Sequence, residues 1–136
     1  MSPDGEGTIS KLSHYLSTIG AEARPDLEVA IGALDEHKAE RIVVLDLRRL
    51  SGATDYFVIG SGTSDTHVRA LAERVTAALR REGQRPHHVE GVTAGRWALL
   101  DFVDFVVHIF HPTLREYYQL ERLWADAPSV HAGSDD

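Results

Sequence analysis

The stretch RWALLDFVDFVVHIFHPTLREYYQLERLW, residues 96–124, decides the fold. Two short runs rich in Val, Ile, Leu and Phe, Trp97 to Leu100 and Phe105 to Phe110, flank a turn at Val103-Asp104. That pattern is a β-hairpin. With those two residues in the loop, Phe102 faces Phe105, and Asp101, Leu99 and Trp97 pair with Val106, His108 and Phe110. Side chains alternate across a strand, so one face carries Ala98, Leu100, Phe102, Phe105, Val107 and Ile109, all apolar. The other carries Trp97, Leu99, Asp101, Val106, His108 and Phe110. A face that mixes an indole, a carboxylate and an imidazole is poorly suited to a dry core, which makes it the first candidate for a surface that meets a partner.

Upstream of the hairpin, Val92-Thr93-Ala94-Gly95 connects back to a short strand, His88 to Glu90, which follows Pro86. Before it comes a long helix, capped by Ser64, that buries Val68, Leu71, Ala72, Val75 and Leu79 and stops at Gly83. Two further strands precede that helix, Ile42 to Leu45 and Tyr56 to Ile59, with a polar connection through Arg48, Arg49, Ser51 and Gly52. The first firm helix opens at Pro25, with Asp26 and Glu28 at its positive end, His37 and Lys38 at its negative end, and Leu27, Ile31 and Leu34 as its buried stripe. Downstream, Pro112 opens a last helix with Leu114, Tyr117, Tyr118 and Leu120 on its apolar side.

The order is therefore α-β-β-α-β-β-β-α, and the predicted fold is a single α/β domain over residues 25–128 with a mixed five-stranded sheet flanked by helices. Residues 1–24 carry only a weak stripe, Ile9, Leu12, Tyr15, Leu16 and Ile19, and read as a variable segment, a short helix or disordered. Residues 129–136 read as a disordered tail.

At 136 residues the chain suits one domain with one core. It has no cysteine, which removes disulfides, thiolate metal sites and thiol nucleophiles and points to a reducing, cytoplasmic setting. No stretch approaches the ~20 apolar residues that span a bilayer. Acids outnumber bases 21 to 14, for a net charge of -7, which opposes a broad grip on nucleic-acid phosphates and favours a basic protein partner.

Several constellations invite chemistry. Gly60-Ser61-Gly62, continuing through Thr63-Ser64-Asp65, sits at a helix N-terminus, where free N–H groups favour an anion. It lacks the lysine of a P-loop and the third glycine of a dinucleotide fingerprint, and a tight turn with a Ser cap is the preferred explanation. Asp101, Asp104 and Glu90 form a possible carboxylate cluster for a divalent ion, but strand parity does not aim them at one point; Asp104 is explained as a turn former. His87, His88, His108 and His111 suggest a metal, yet their spacing does not make them converge, and a hydrogen-bonded structural role suits His108 better. No serine sits in a nucleophile elbow. Neither a catalytic residue, a metal site nor a cofactor is expected. Trp97, at a strand start after Gly95-Arg96, reads either as a core aromatic or as an interface residue, the latter because Trp is enriched at binding hot spots.

These residues carry a resemblance. LDLRRLSGATDYFVIGSGTSDTHVRALAERV (45–75), HHVEG (87–91), GRWALLDFVDFVVHIFH (95–111) and REYYQLERLWADAP (115–128) resemble the ribosomal silencing factors, also called the Iojap family. The likeness spans Leu27 to Pro128. It implies a fold related to the nucleotidyltransferases in a protein that binds rather than catalyses. It further implies docking on the large ribosomal subunit, on its L-fourteen protein at the face that meets the small subunit, so that subunit joining is blocked and translation falls under nutrient limitation. Carried over to this sequence, the docking surface is Trp97 with Leu99, Asp101 and Glu90. Organelle members imply a role in large-subunit assembly, and the fold's ancestry leaves a nucleotidyltransferase using Gly60, Ser61 and Asp101 as a rival. A homodimer is also implied. One departure stands out: family members carry Gly in the hairpin turn where this chain has Val103, a residue that resists positive φ.

Overall fold

A computed structural model describes residues 24–50, 52–118 and 129–132. Proline has the φ of a first helical turn and lacks an N–H that would go unpaired there, and helix α1 (Pro25–Glu36) begins at Pro25. It ends where Lys38 turns left-handed at φ 68, letting the Ala39 N–H donate to the Leu34 carbonyl. Strand β1 (Glu40–Asp46) has a bulge after Glu40, with Arg41 at φ 52, and β2 (Tyr56–Ser61) runs antiparallel to it. Helix α2 (Asp65–Arg81) is capped as its sequence predicts: the Ser64 hydroxyl accepts from the His67 N–H at 3.1 Å. Strands β3 (His88–Glu90), β4 (Trp97–Asp101) and β5 (Phe105–Phe110) follow, then helix α3 (Pro112–Tyr118) and strand β6 (Ser129–Ala132).

The sheet runs β3-β4-β5-β2-β1-β6. Among the described residues only β2 and β5 pair in parallel; the other neighbouring strands are antiparallel. The crossover from β2 through α2 leads to β3 at the edge, and the β4–β5 hairpin fills the gap between them. The five expected strands are present in the expected order, and the mixed α/β architecture holds. Two expectations change. The sheet has six strands, not five, because Ser129–Ala132, within the segment read as a disordered tail, pairs antiparallel with β1 from Ile42↔Ala132 to Leu45↔Ser129. Four residues are too few to show a period of two, whereas the outer edge of β1 offers a complete ladder to any chain that reaches it. Residues 1–23, Leu120 and the side chains of Tyr117 and Tyr118 lie outside the described residues.

Helices α1 and α2 cover the apolar face of the sheet. Leu27, Ile31, Leu34, Val68, Leu71, Val75 and Leu79 meet Ala98, Leu100, Phe102, Phe105, Val107 and Ile109 in one core. A smaller cluster forms on the opposite face from Val43, Leu45, Leu47, Ile59 and Phe110, with Phe57, Trp97 and Leu114 packed against it. Among the described residues no helix is long and apolar enough to cross a membrane.

The hairpin register is the one read from sequence, with Trp97↔Phe110, Leu99↔His108 and Asp101↔Val106. Its turn is strained. Val103 sits at φ 76, and the Asp104 N–H donates to the Phe102 carbonyl at 3.0 Å, closing a γ-turn around a β-branched residue. The Asp101 carboxylate braces it by accepting the Val103 N–H at 2.8 Å. Val103 is 55% exposed and has little packing to lose. Val103→Gly should therefore stabilise the fold by about 1 kcal/mol, strain relief exceeding the added freedom of the unfolded chain. Urea denaturation checks the sign; a lower midpoint would show that the turn tolerates valine.

Candidate protein-docking face

Paired residues in an antiparallel ladder share a face. Glu90 pairs with Leu99 and His88 with Asp101, so the mixed face extends from β4 onto the edge strand. The four residues expected at the interface, Trp97, Leu99, Asp101 and Glu90, thus stand together. Exposure falls in one direction across this face. His88 and Glu90 are exposed, Trp97, Leu99 and Asp101 are half-buried, and Val106, His108 and Phe110 are buried. The open strip has an apolar centre at Trp97 and Leu99 and a charged margin, where the Glu90 carboxylate lies 3.0 Å from His88 Nε2. Gly91 shapes the approach: it holds φ 77, and a Cβ there would collide with the Trp97 carbonyl oxygen.

Trp97 is more embedded than an isolated hot-spot residue. Its ring lies 4.8 Å from that of Phe110, and its Nε1–H donates to His108 Nδ1 at 3.1 Å. His108 is 5% exposed, and burial lowers its pKa from 6.5 to about 4. The structural reading of His108 is the one the geometry favours: a neutral ring inside the sheet face.

The glycine loop is arranged differently from an anion site. The Gly62 N–H donates to the Phe110 carbonyl, and the Thr63 N–H to His67 Nδ1 at 2.8 Å. The Ser61 hydroxyl accepts from Arg115 Nη1 at 2.9 Å, and Gly60 lies within β2. These groups are committed within the protein. Gly62 is needed for room, because a Cβ would stand 2.9 Å from the Val68 backbone nitrogen. Arg115 is the residue that sequence reading missed. It is 1% exposed, and its second nitrogen, Nη2, donates to the carbonyl of Arg41 at the β1 bulge at 2.8 Å. An arginine in the first turn of a helix after proline resembles any surface cation, so the sequence held no signal for it.

Among the described residues, no three His, Cys, Asp or Glu side chains gather as a metal site. His111 Nδ1 is engaged by the Thr113 hydroxyl at 2.7 Å, and Asp101 by the hairpin turn. A groove of about 360 Å³ between α2 and the β3–β4 edge, floored by Ala72, Val89, Val92 and Leu100, opens on the other side of the sheet.

Two predictions follow from these buried groups. Arg115→Met keeps the aliphatic stem but leaves the Ser61 hydroxyl and Arg41 carbonyl without these donors, and should cost at least about 2 kcal/mol in urea denaturation. His108 has a folded pKa below its unfolded value, so between pH 6.5 and about 4 the unfolded chain binds the extra proton. The stability due to its neutral form is full above pH 6.5 and is lost as pH falls toward 4, by about 3 kcal/mol in all. Subtracting the stability-pH profile of His108→Leu from that of the wild type isolates this slope; parallel profiles would contradict it.

Comparison with known proteins places the arrangement in a family. Residues 20–136 match the family described as ribosomal silencing factor during starvation. The chain is similar to the ribosomal silencing factor of Halalkalibacterium halodurans, 40% identical over 104 residues that cover 76% of this chain and 89% of that one. It is likewise similar to that of Bacillus subtilis, 42% identical over 102 residues covering 75% and 86%. A mouse protein, mitochondrial assembly of ribosomal large subunit protein 1, is 35% identical over 105 residues, 75% of this chain and 46% of the mouse protein. A crystal structure of a Chromobacterium violaceum protein superposes with a TM-score of 0.74 at 32% identity, covering 85% of this chain and 90% of that one. The matched family spans both the core that α1 and α2 build and the β3–β4 face, and the chain belongs to the ribosomal silencing factors.

Proposed function

We propose that the chain docks on the large ribosomal subunit, on its L-fourteen protein, and blocks association with the small subunit in the cytoplasm when nutrients are limiting. Family membership supplies the ribosome-associated silencing role. The β3–β4 strip is the observation that carries the rest: an apolar centre, Trp97 and Leu99, with the carboxylates of Glu90 and Asp101 at its margin. A desolvated aromatic centre provides affinity, and an acidic margin on a protein of net charge -7 steers it toward a basic partner and fixes register.

Occlusion needs no catalysis. The nucleotidyltransferase rival depends on Gly60, Ser61 and Asp101, and the Ser61 hydroxyl and Asp101 carboxylate are held by Arg115 and the hairpin turn. Magnesium-dependent nucleotide binding in calorimetry would revive it. The name of the mouse relative favours one second reading, a factor acting in large-subunit assembly.

The test mixes the protein with isolated large subunits, adds small subunits, and follows joining by light scattering. The wild type should inhibit joining. Leu99→Arg, a half-buried position remote from the main core, should weaken large-subunit binding by at least ~2 kcal/mol while leaving the melting curve in place. Trp97→Glu should do the same to binding, with an added loss of packing on Phe110. Unchanged binding by Leu99→Arg would overturn the surface assignment. Subunits that join despite bound protein would overturn occlusion in favour of assembly.

A further inference from the structure

We propose that His108 is a positioning residue for docking: its neutral ring holds the Trp97 indole in a single orientation on the exposed strip. The inference rests on the docking reading above. Its first support is the tautomer. A tryptophan N–H only donates, so the bond from Trp97 Nε1 at 3.1 Å makes His108 Nδ1 the acceptor and puts the imidazole proton on Nε2. That second nitrogen is buried and has no hydrogen-bond partner among the described residues.

The second support is what this arrangement costs. A buried N–H without an acceptor destabilises the fold, whereas an aliphatic side chain of similar size would fill the same place without that penalty. The neighbours on the strand, Val106, Val107 and Ile109, are aliphatic and buried. What a histidine adds at this position is the acceptor for Trp97. Its ring is itself fixed, standing edge-on to Phe57 at 4.5 Å between centroids and nearly parallel to Phe110 at 6.3 Å. Phe110 in turn lies against the Trp97 ring at 4.8 Å. The bond to Nδ1 favours the χ2 orientation that turns the indole Nε1–H toward it. A half-buried aromatic that is already ordered loses less freedom when a partner closes over it.

The proposal separates from a plain core role because stability and docking should move in opposite directions. His108→Leu should melt at or above the wild-type temperature yet bind large subunits about fivefold to tenfold more weakly. His108→Asn, whose amide oxygen falls near the place of Nδ1, should melt lower yet keep affinity closer to the wild type. In a Trp124→Phe background, the single remaining indole N–H resonance should exchange faster with solvent in His108→Leu than in the parent. If His108→Leu binds like the wild type while Leu99→Arg does not, positioning is wrong and the docking surface stands. If neither variant changes binding, the docking surface itself falls. Loss of affinity in His108→Leu that tracks a lower melting temperature would reduce His108 to a structural residue and overturn the proposal.

Discussion

The register of the β4–β5 hairpin is the constraint on which everything else depends. With β5 held by β2, a slip of one residue would exchange the faces of β4, sending Trp97, Leu99 and Asp101 toward the helix-covered core and Ala98 and Leu100 to the outside. The slip is barred by a turn that the chain forms against its preference, with Val103 left-handed and Asp101 gripping its N–H. Phe102 and Phe105 stack at 5.0 Å on the core side immediately beside it. The parallel pairing of β2 with β5, Tyr56↔Phe105 through Ser61↔Phe110, then transmits that register to the rest of the sheet.

At the other end of the same strands lies a junction that looks like a nucleotide turn. In sequence it is glycines and hydroxyls before a helix; in space it is a place where three segments converge. His67 accepts from Thr63 and its Nε2 lies 2.9 Å from the carbonyl of His37, joining the start of α2 to the end of α1. Arg115 joins α3 to β2 and to the bulge in β1. A buried guanidinium needs its donors satisfied, and the Ser61 hydroxyl together with a carbonyl turned inward by Arg41 contributes to that. Groups that a phosphate would use are engaged instead in connecting elements of the fold.

The parts of this structure that were legible in sequence are those governed by local periodicity. The 3.6 period of α2, its Ser64 cap and the alternation of the hairpin each depend on neighbours a few residues away. Strand parity alone placed Trp97, Leu99 and Asp101 on one face, and the pairing Glu90↔Leu99 brought Glu90 beside them. Arg115 and β6 were not legible, because each is defined by distant partners: Arg115 by Arg41, and Ser129–Ala132 by β1. His108 was half legible. The spacing of the histidines argued against a metal site and for a hydrogen-bonded structural role, but which nitrogen it would offer, and to whom, needed the fold.

The exposure gradient also bears on how a partner would approach. Strand β3 has only three residues and ends the sheet, and it presents His88 and Glu90 on the open face. A short edge strand carrying charge is a poor template for adding another strand. Association through the edge is therefore disfavoured, and what remains attractive is the face, where Trp97 and Leu99 lie between the charged margin and the buried aromatics. A partner that covers this strip must displace water from half-buried apolar groups while leaving Glu90 at the rim, where charge acts on encounter more than on residence. The buried side of the gradient packs the aromatic rings together and the exposed side disfavours strand addition, so under the proposed docking both limits of the face would direct a partner to its centre.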